Sequence, residues 1–207
     1  MEVQSFTDEW HVADEVAMAA RERGADLPGG QPSPTACGVL RSVACAINAA
    51  AVVQAGADSG VSGLAVLSGM APGGILTSIE ASPEADRAAR QTFREAGSAA
   101  AVRSITGNTL DVISRLADHA YDMVIVGADA AHRATYLSQA RRLLRPGGAA
   151  VFLGVFGPSD EVLDPARRDE PTVAERHFLG ELAEDPTVTA SLLPIDGGIL
   201  IVQLPRD

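Results

Sequence analysis

Between Val52 and Glu80 the chain reads VVQAGADSGVSGLAVLSGMAPGGILTSIE. A short apolar run, Ala51–Val53, leads into a loop bearing Gly56, Gly60 and Gly63, a helix-like segment follows, and the chain returns as the apolar run Ile75–Ile79. That order is a β-loop-α-β unit. Glycines in the first loop let the backbone come close to a ligand, and the following helix aims its N-terminal amides at the same place. Glu80 ends the second strand, 24 residues after Gly56, where a carboxylate can accept hydrogen bonds from both hydroxyls of a ribose. The unit predicts a ligand containing a nucleoside, with turn punctuation as the competing reading of the glycines.

The loop also restricts the kind of nucleoside. A dinucleotide fingerprint ending at Gly63 needs glycine where Asp58 stands, and a carboxylate there repels a pyrophosphate. A cofactor without phosphates and with a positive charge fits better. S-adenosylmethionine is such a molecule.

At 207 residues the chain is long enough for one domain with a substantial core. A single domain, 1–207, is expected, with residues 1–50 as an N-terminal helical lid on the substrate side and 51–207 as the cofactor-binding core. The net charge of −11 argues against a nucleic-acid partner. Cys37 and Cys45 match no metal-binding or redox spacing. The first residues, MEVQSFTDEWHV, are polar and acidic, and no apolar run reaches membrane-spanning length. A cytoplasmic protein without a membrane partner is the expectation.

Residues 8–23 place Trp10, Val12, Val16 and Ala20 at helical spacing behind a cap at Thr7 or Asp8, with Trp10 expected to anchor the helix on the domain. A glycine- and proline-rich loop separates it from a helix begun by Ser33-Pro34-Thr35. Then the pattern alternates: helix 62–70, strand 75–79, helix 84–96, strand 101–106, helix 109–118, strand 122–127, helix 132–145, strand 149–155. A helix from Thr172 to Glu184 precedes two apolar runs flanking Asp196-Gly197-Gly198, the signature of a hairpin. The fold class is α/β, a Rossmann-like, seven-stranded, mostly parallel sheet with an antiparallel last strand and helices on both faces.

From about Ser33 to Leu204, and most specifically in GADSGVSGLAVLSGM, LTSIEASPE and YDMVIVGADAAHRATYLSQARRLLRPGG, the chain resembles the class I S-adenosylmethionine-dependent O-methyltransferases. Within them it is similar to the small bacterial enzymes related to catechol and caffeoyl-CoA O-methyltransferases. The resemblance implies that Gly56, Ala57 and Ser62 line the methionine end of the cofactor, with Gln54 where the family usually has a glutamate that pairs with the cofactor's ammonium. It implies that Glu80 holds the ribose, that Asn108 and Thr109 contact adenine, that Ala36 touches the cofactor from the preceding helix, and that Asp129 binds it near the fourth strand. A homodimer and a small hydroxylated methyl acceptor follow from the same likeness.

The departures concern the metal. The resembling enzymes end the fourth strand in a pattern like Asp-Ala-Asp-Lys, which supplies a metal ligand and a base, and the fifth in Asp-Asn. Here those stretches read Gly127-Ala128-Asp129-Ala130 and Leu153-Gly154. Magnesium takes oxygen ligands that glycine and leucine side chains lack, so no catalytic metal is expected. Methyl transfer needs chiefly an oxygen positioned in line with the methyl group and removal of a proton. Asp129, His132 and Asp160, near the ends of the fourth and fifth strands, are the catalytic candidates, Asp129 and His132 foremost. Two alternatives stay open: a catalytically degenerate S-adenosylmethionine-binding sensor or partner subunit, and a nicotinamide-dependent oxidoreductase, which Asp58 and the closing hairpin disfavour.

Overall fold

The computed structural model describes residues 2–11, 14–27, 30–127, 130–157 and 159–206. Its seven strands are β1 (Ala51–Ala55), β2 (Ile75–Glu80), β3 (Val102–Thr106), β4 (Tyr121–Val126), β5 (Leu144–Leu153), β6 (Thr189–Leu193) and β7 (Ile199–Gln203). They form one sheet in the order β3-β2-β1-β4-β5-β7-β6. Pairing is parallel from β3 through β5, and β7 lies antiparallel to both β5 and β6. The strand order reverses between β1 and β4, the place where an open α/β sheet leaves a crevice beyond its strand ends.

Among the described residues the α-helices are α1 (Glu2–Trp10), α2 (Glu15–Arg23), α3 (Pro34–Ala46), α4 (Val61–Leu67), α5 (Pro83–Glu95), α6 (Thr109–Ile113), α7 (Arg133–Leu143) and α8 (Glu170–Ala183). The central strands are apolar on both faces because helices cover both. Along β4, Met123 and Ile125 join Val52, Leu76, Phe93 and Leu40 in one core, while Val124 and Val126 join Val53, Ile79, Tyr136, Phe152 and Phe178 in the other. Gln54 alternates with Val53 and Ala55, so this polar side chain enters the core face shared with Val52.

Caps set several helix starts as the sequence predicts. Ser33 Oγ accepts from Ala36 N–H at 3.2 Å before α3, and Ser82 Oγ accepts from Ala85 N–H at 3.3 Å before α5, each followed by proline in the first turn. The N-terminal segment differs from expectation. Residues 8–23 are not one helix: Asp14 caps a separate α2, its Oδ1 accepting from Ala17 N–H at 2.7 Å. Trp10 is 70% exposed and does not anchor α1 on the domain. Asp8 holds α1 there instead, by accepting the N–H of Thr35 at 3.0 Å and its hydroxyl at 2.6 Å. Helix α6 is shorter than the expected 109–118, stopping where the Ser114 hydroxyl turns back to the Asp111 carbonyl. Strand β5 begins earlier than expected, at Leu144, with a register shift against β4 that absorbs Arg145–Gly148.

Among the described residues no helix is long and apolar enough to cross a membrane.

Candidate active site at the ends of the central strands

The loop after β1 is tied to the end of β2. Gly56 has φ 87°, a left-handed backbone that glycine adopts without strain, and its N–H donates to the Ile79 carbonyl at 2.9 Å. Glu80, half-buried, holds the same junction from the other side. Its Oε2 accepts the Ala57 N–H and its Oε1 the Ser82 N–H, both at 2.8 Å. Each oxygen of an ionised carboxylate can accept a second bond, so Glu80 is fixed in place with acceptor capacity left for two ligand hydroxyls.

Behind this loop lies a network of polar groups. Gln54, 1% exposed, donates from Nε2 to the Gly56 carbonyl at 2.8 Å and to Ser62 Oγ at 2.6 Å, while its Oε1 has no partner among the described residues. The Ser62 hydroxyl donates to Asp58. Asp58 in turn accepts the N–H groups of Gly60 at 2.7 Å, Val61 at 2.8 Å and Ser62 at 3.4 Å. The residue that reads in sequence as a barrier to phosphate thus folds back, at φ 42°, to hold the start of α4.

Burial pushes the Asp58 carboxyl up to about 6 from its ordinary 3.8, against the pull of the Ser62 hydroxyl and the three amides. An acid raised in the folded state contributes stability below its unfolded value and loses it as the pH climbs through the folded value. Wild-type stability is therefore expected to fall as the pH climbs from about 4 to about 7.5, and Asp58→Asn, which cannot ionise, is expected to lack that fall while losing stability at both pH values because its NH2 group is set against a backbone amide. Urea unfolding at the two pH values measures it.

The remaining sequence-predicted residues fall in different settings. Ala36 is fully buried in the first turn of α3. Ser62 is also buried, so its hydroxyl serves the loop from behind. Asn108 is exposed and caps α6, its Oδ1 accepting from Asp111 N–H at 3.1 Å. The Thr109 hydroxyl is buried against the hydroxyl of Tyr136. Asp129 lies outside the described residues. His132 is exposed at the start of α7, just beyond β4.

A further pair escaped the sequence reading. Arg133 and Glu175 are each 5% exposed and form an ion pair, Nε to Oε2, at 2.8 Å. Arg133 Nη2 also donates to the carbonyls of Leu153 at 2.9 Å and Gly154 at 3.1 Å, fastening α7 and α8 to the end of β5. Among the described residues its Nη1 and Glu175 Oε1 have no partners. Burial pushes the Glu175 carboxyl up, with the Arg133 guanidinium opposing that rise. The available signal was spacing: Arg133 occupies the same stripe of α7 as the buried Tyr136, Ala140 and Leu143.

This corner is where the resembling enzymes place a divalent metal. Among the described residues no group of three or more His, Cys, Asp or Glu side chains converges as a metal site. Gly127, Leu153 and Gly154 bring no side-chain oxygen, and the backbone oxygens of the latter two already face a guanidinium. A cation is a poor neighbour for another cation, so these residues do not fit the metal.

The strand order, the single antiparallel β7 and the carboxylate at the end of β2 facing a glycine loop define the class I, Rossmann-like methyltransferase fold. Residues 27–204 match the O-methyltransferase family model, and the chain belongs to that family. A Mycobacteroides abscessus protein provisionally named an O-methyltransferase is 41% identical over 189 residues, 90% of this chain and 87% of that protein. A solved Corynebacterium glutamicum protein superposes with a TM-score of 0.90 at 26% identity, over 100% of this chain and 97% of the other. The O-methyltransferase TomG of Streptomyces achromogenes, solved with S-adenosylmethionine, gives 0.88 at 25% identity, over 99% and 96%.

Proposed function

We propose that the protein transfers a methyl group from S-adenosylmethionine to the hydroxyl of a small acceptor, and does so without a divalent metal. The observation that carries the metal-free reading is the Arg133 guanidinium on the Leu153 and Gly154 carbonyls. It supports the reading by occupying backbone oxygens at a strand end where Gly127, Leu153 and Gly154 bring no side-chain oxygen. For the cofactor, the support is Glu80, fixed by two amides with room for two hydroxyls, and the unfilled Gln54 Oε1. The likeness to TomG, which was solved with this cofactor, points the same way.

When bound, the cofactor supplies an electrophilic methyl group on a sulfonium. The chain's residues provide position: Glu80 orients the ribose, the Gly56–Ala57 backbone brings the methionine end close, and the Arg133–Glu175 pair fixes the end of β5 beside the acceptor. His132 and Asp129, following β4, are the groups proposed to receive the acceptor's proton. A homodimer belongs to the same proposal, supported by Val3, Phe6 and Trp10, which leave α1 with large exposed apolar side chains.

The test is transfer from isotopically labelled S-adenosylmethionine to a panel of catechols and simple phenols in excess EDTA. Turnover is expected to persist at the level seen without chelator. Loss of turnover that magnesium restores overturns the metal-free reading. Cofactor binding without transfer to any acceptor favours a protein that senses the cofactor.

A further inference from the structure

A cleft of about 380 Å³ lies between the end of α2 and the side of α5, with Arg23 and Leu27 on one wall and Arg87, Arg90 and Arg94 on the other. Among the described residues Glu84 is the single carboxylate that lines it. In a chain of net charge −11, four of the 16 basic residues meet here. Helix α5 joins two parallel strands, so it starts beyond Glu80 and runs back along the sheet. The cleft therefore recedes from the strand ends where cofactor and acceptor are proposed to sit.

Two of the four arginines are held by acids. Arg23 Nη2 meets Glu95 Oε2 and Arg90 Nε meets Asp86 Oδ2, each at 2.7 Å. Arg23 also donates to the Thr92 hydroxyl at 3.1 Å, and Arg90 to the Ser104 carbonyl at 3.0 Å, so both guanidinium groups are fixed in place. Arg23 Nε is buried without a partner among the described residues. The other two arginines have no acid. Arg87 donates through Nε to the Pro83 carbonyl at 3.1 Å, and Arg94 makes no side-chain hydrogen bond or ion pair among the described residues. Arg94 stands in the last turn of α5, where the helix dipole favours a cation, but Arg87 stands toward its start, where the dipole gives no support. Arg87, Arg90 and Arg94 also share one face at spacings of three and four, at which like charges repel. An anion in the cleft relieves that repulsion.

Guanidinium forks match phosphate oxygens with paired, charge-assisted hydrogen bonds. Arg87 and Arg94 are separated by a rise of about 10 Å along the helix, more than one phosphate covers. We propose that the cleft between α2 and α5 binds a small molecule carrying two or more linked phosphates, with Arg87 and Arg94 reaching it from two ends and Arg23 and Arg90 meeting it from positions that their ion pairs fix. A long polyanion such as a nucleic acid is disfavoured, because it meets the field of the whole acidic chain, whereas a compact one meets chiefly the local charge. The site is independent of the cofactor reading.

The experiment is calorimetric titration of the full chain with inorganic phosphate, pyrophosphate and tripolyphosphate, without magnesium, at low and at physiological salt. Tripolyphosphate is expected to bind at least about tenfold more tightly than inorganic phosphate and to weaken with salt. The double variant Arg87→Gln with Arg94→Gln is expected to weaken it by about tenfold or more. Both side chains are exposed and free of acids, so this variant keeps its fold. Glu84→Gln should strengthen binding about threefold. Arg115→Gln, which removes an exposed arginine outside the cleft, should change nothing. Saturation with S-adenosylhomocysteine should leave the affinity for tripolyphosphate unaltered. No binding, equal affinity for phosphate and tripolyphosphate, or equal weakening in Arg115→Gln overturns the proposal and leaves a solvated helix face. Displacement of tripolyphosphate by S-adenosylhomocysteine overturns it by placing the anion in the cofactor site, and tighter binding of a single-stranded oligonucleotide overturns it in favour of a nucleic-acid partner. Binding of tripolyphosphate as expected by a protein that does not bind S-adenosylhomocysteine removes the cofactor reading and supports this site.

Discussion

Arg133→Met is expected to destabilise the protein by about 3–5 kcal/mol, the usual effect of stranding one member of a buried ion pair. Glu175 would remain at 5% exposure with neither carboxylate oxygen paired, and the carbonyls of Leu153 and Gly154 would lose their donor. A large part of the loss should be recovered in the double variant Arg133→Met with Glu175→Leu, because an apolar pair of similar size carries no desolvation penalty. The pair already leaves Nη1 and Oε1 without partners, which favours that recovery. Urea unfolding of the two variants measures the effect. A single variant within about 1 kcal/mol of the wild type would mean that Glu175 takes up a proton or finds water at little cost. Recovery of stability without recovery of methyl transfer would separate the tether on β5 from the packing of α7 on α8.

Glu80→Ala is expected to weaken S-adenosylhomocysteine by about 1.5–3 kcal/mol, roughly ten- to 150-fold, through loss of charge-assisted hydrogen bonds to the ribose. The fixed geometry matters here. Because Ala57 and Ser82 each donate to one oxygen at 2.8 Å, the carboxylate is already oriented before a ligand arrives. Glu80→Gln separates the two contributions. It keeps one acceptor oxygen but sets an NH2 group against a backbone amide, so it should loosen the loop as well as weaken binding. Unchanged affinity in Glu80→Ala, measured by calorimetry, would remove the ribose from the end of β2.

The sheet and its order of elements were legible because the central strands are short apolar runs alternating with capped helices. Val52–Glu80 alone predicts the β1-α4-β2 unit that the structure shows. The chain's N-terminal end was less legible. The helical spacing of Trp10, Val12, Val16 and Ala20 spans a break that the Asp14 cap imposes, and a local hydrogen bond prevailed over periodicity. The site was legible in part. Position 54 is visible as a glutamine in sequence, but its unfilled oxygen is a property of geometry, since it depends on where the Gly56 carbonyl and Ser62 hydroxyl fall. Asp58 was correctly singled out as a charge beside the loop, but its inward turn requires a left-handed backbone that aspartate adopts only with local support. The Arg133–Glu175 pair joins residues 42 positions apart, and only the fold brings them together.

A phosphate-free, cationic nucleoside bound without a metal is the central expectation for this protein. Calorimetric titration of the purified protein with S-adenosylmethionine and S-adenosylhomocysteine, in magnesium and again in EDTA, tests it most directly. Micromolar binding of both ligands, unchanged by the chelator, is the expected result. Absence of binding, or binding that appears only with magnesium, would contradict it.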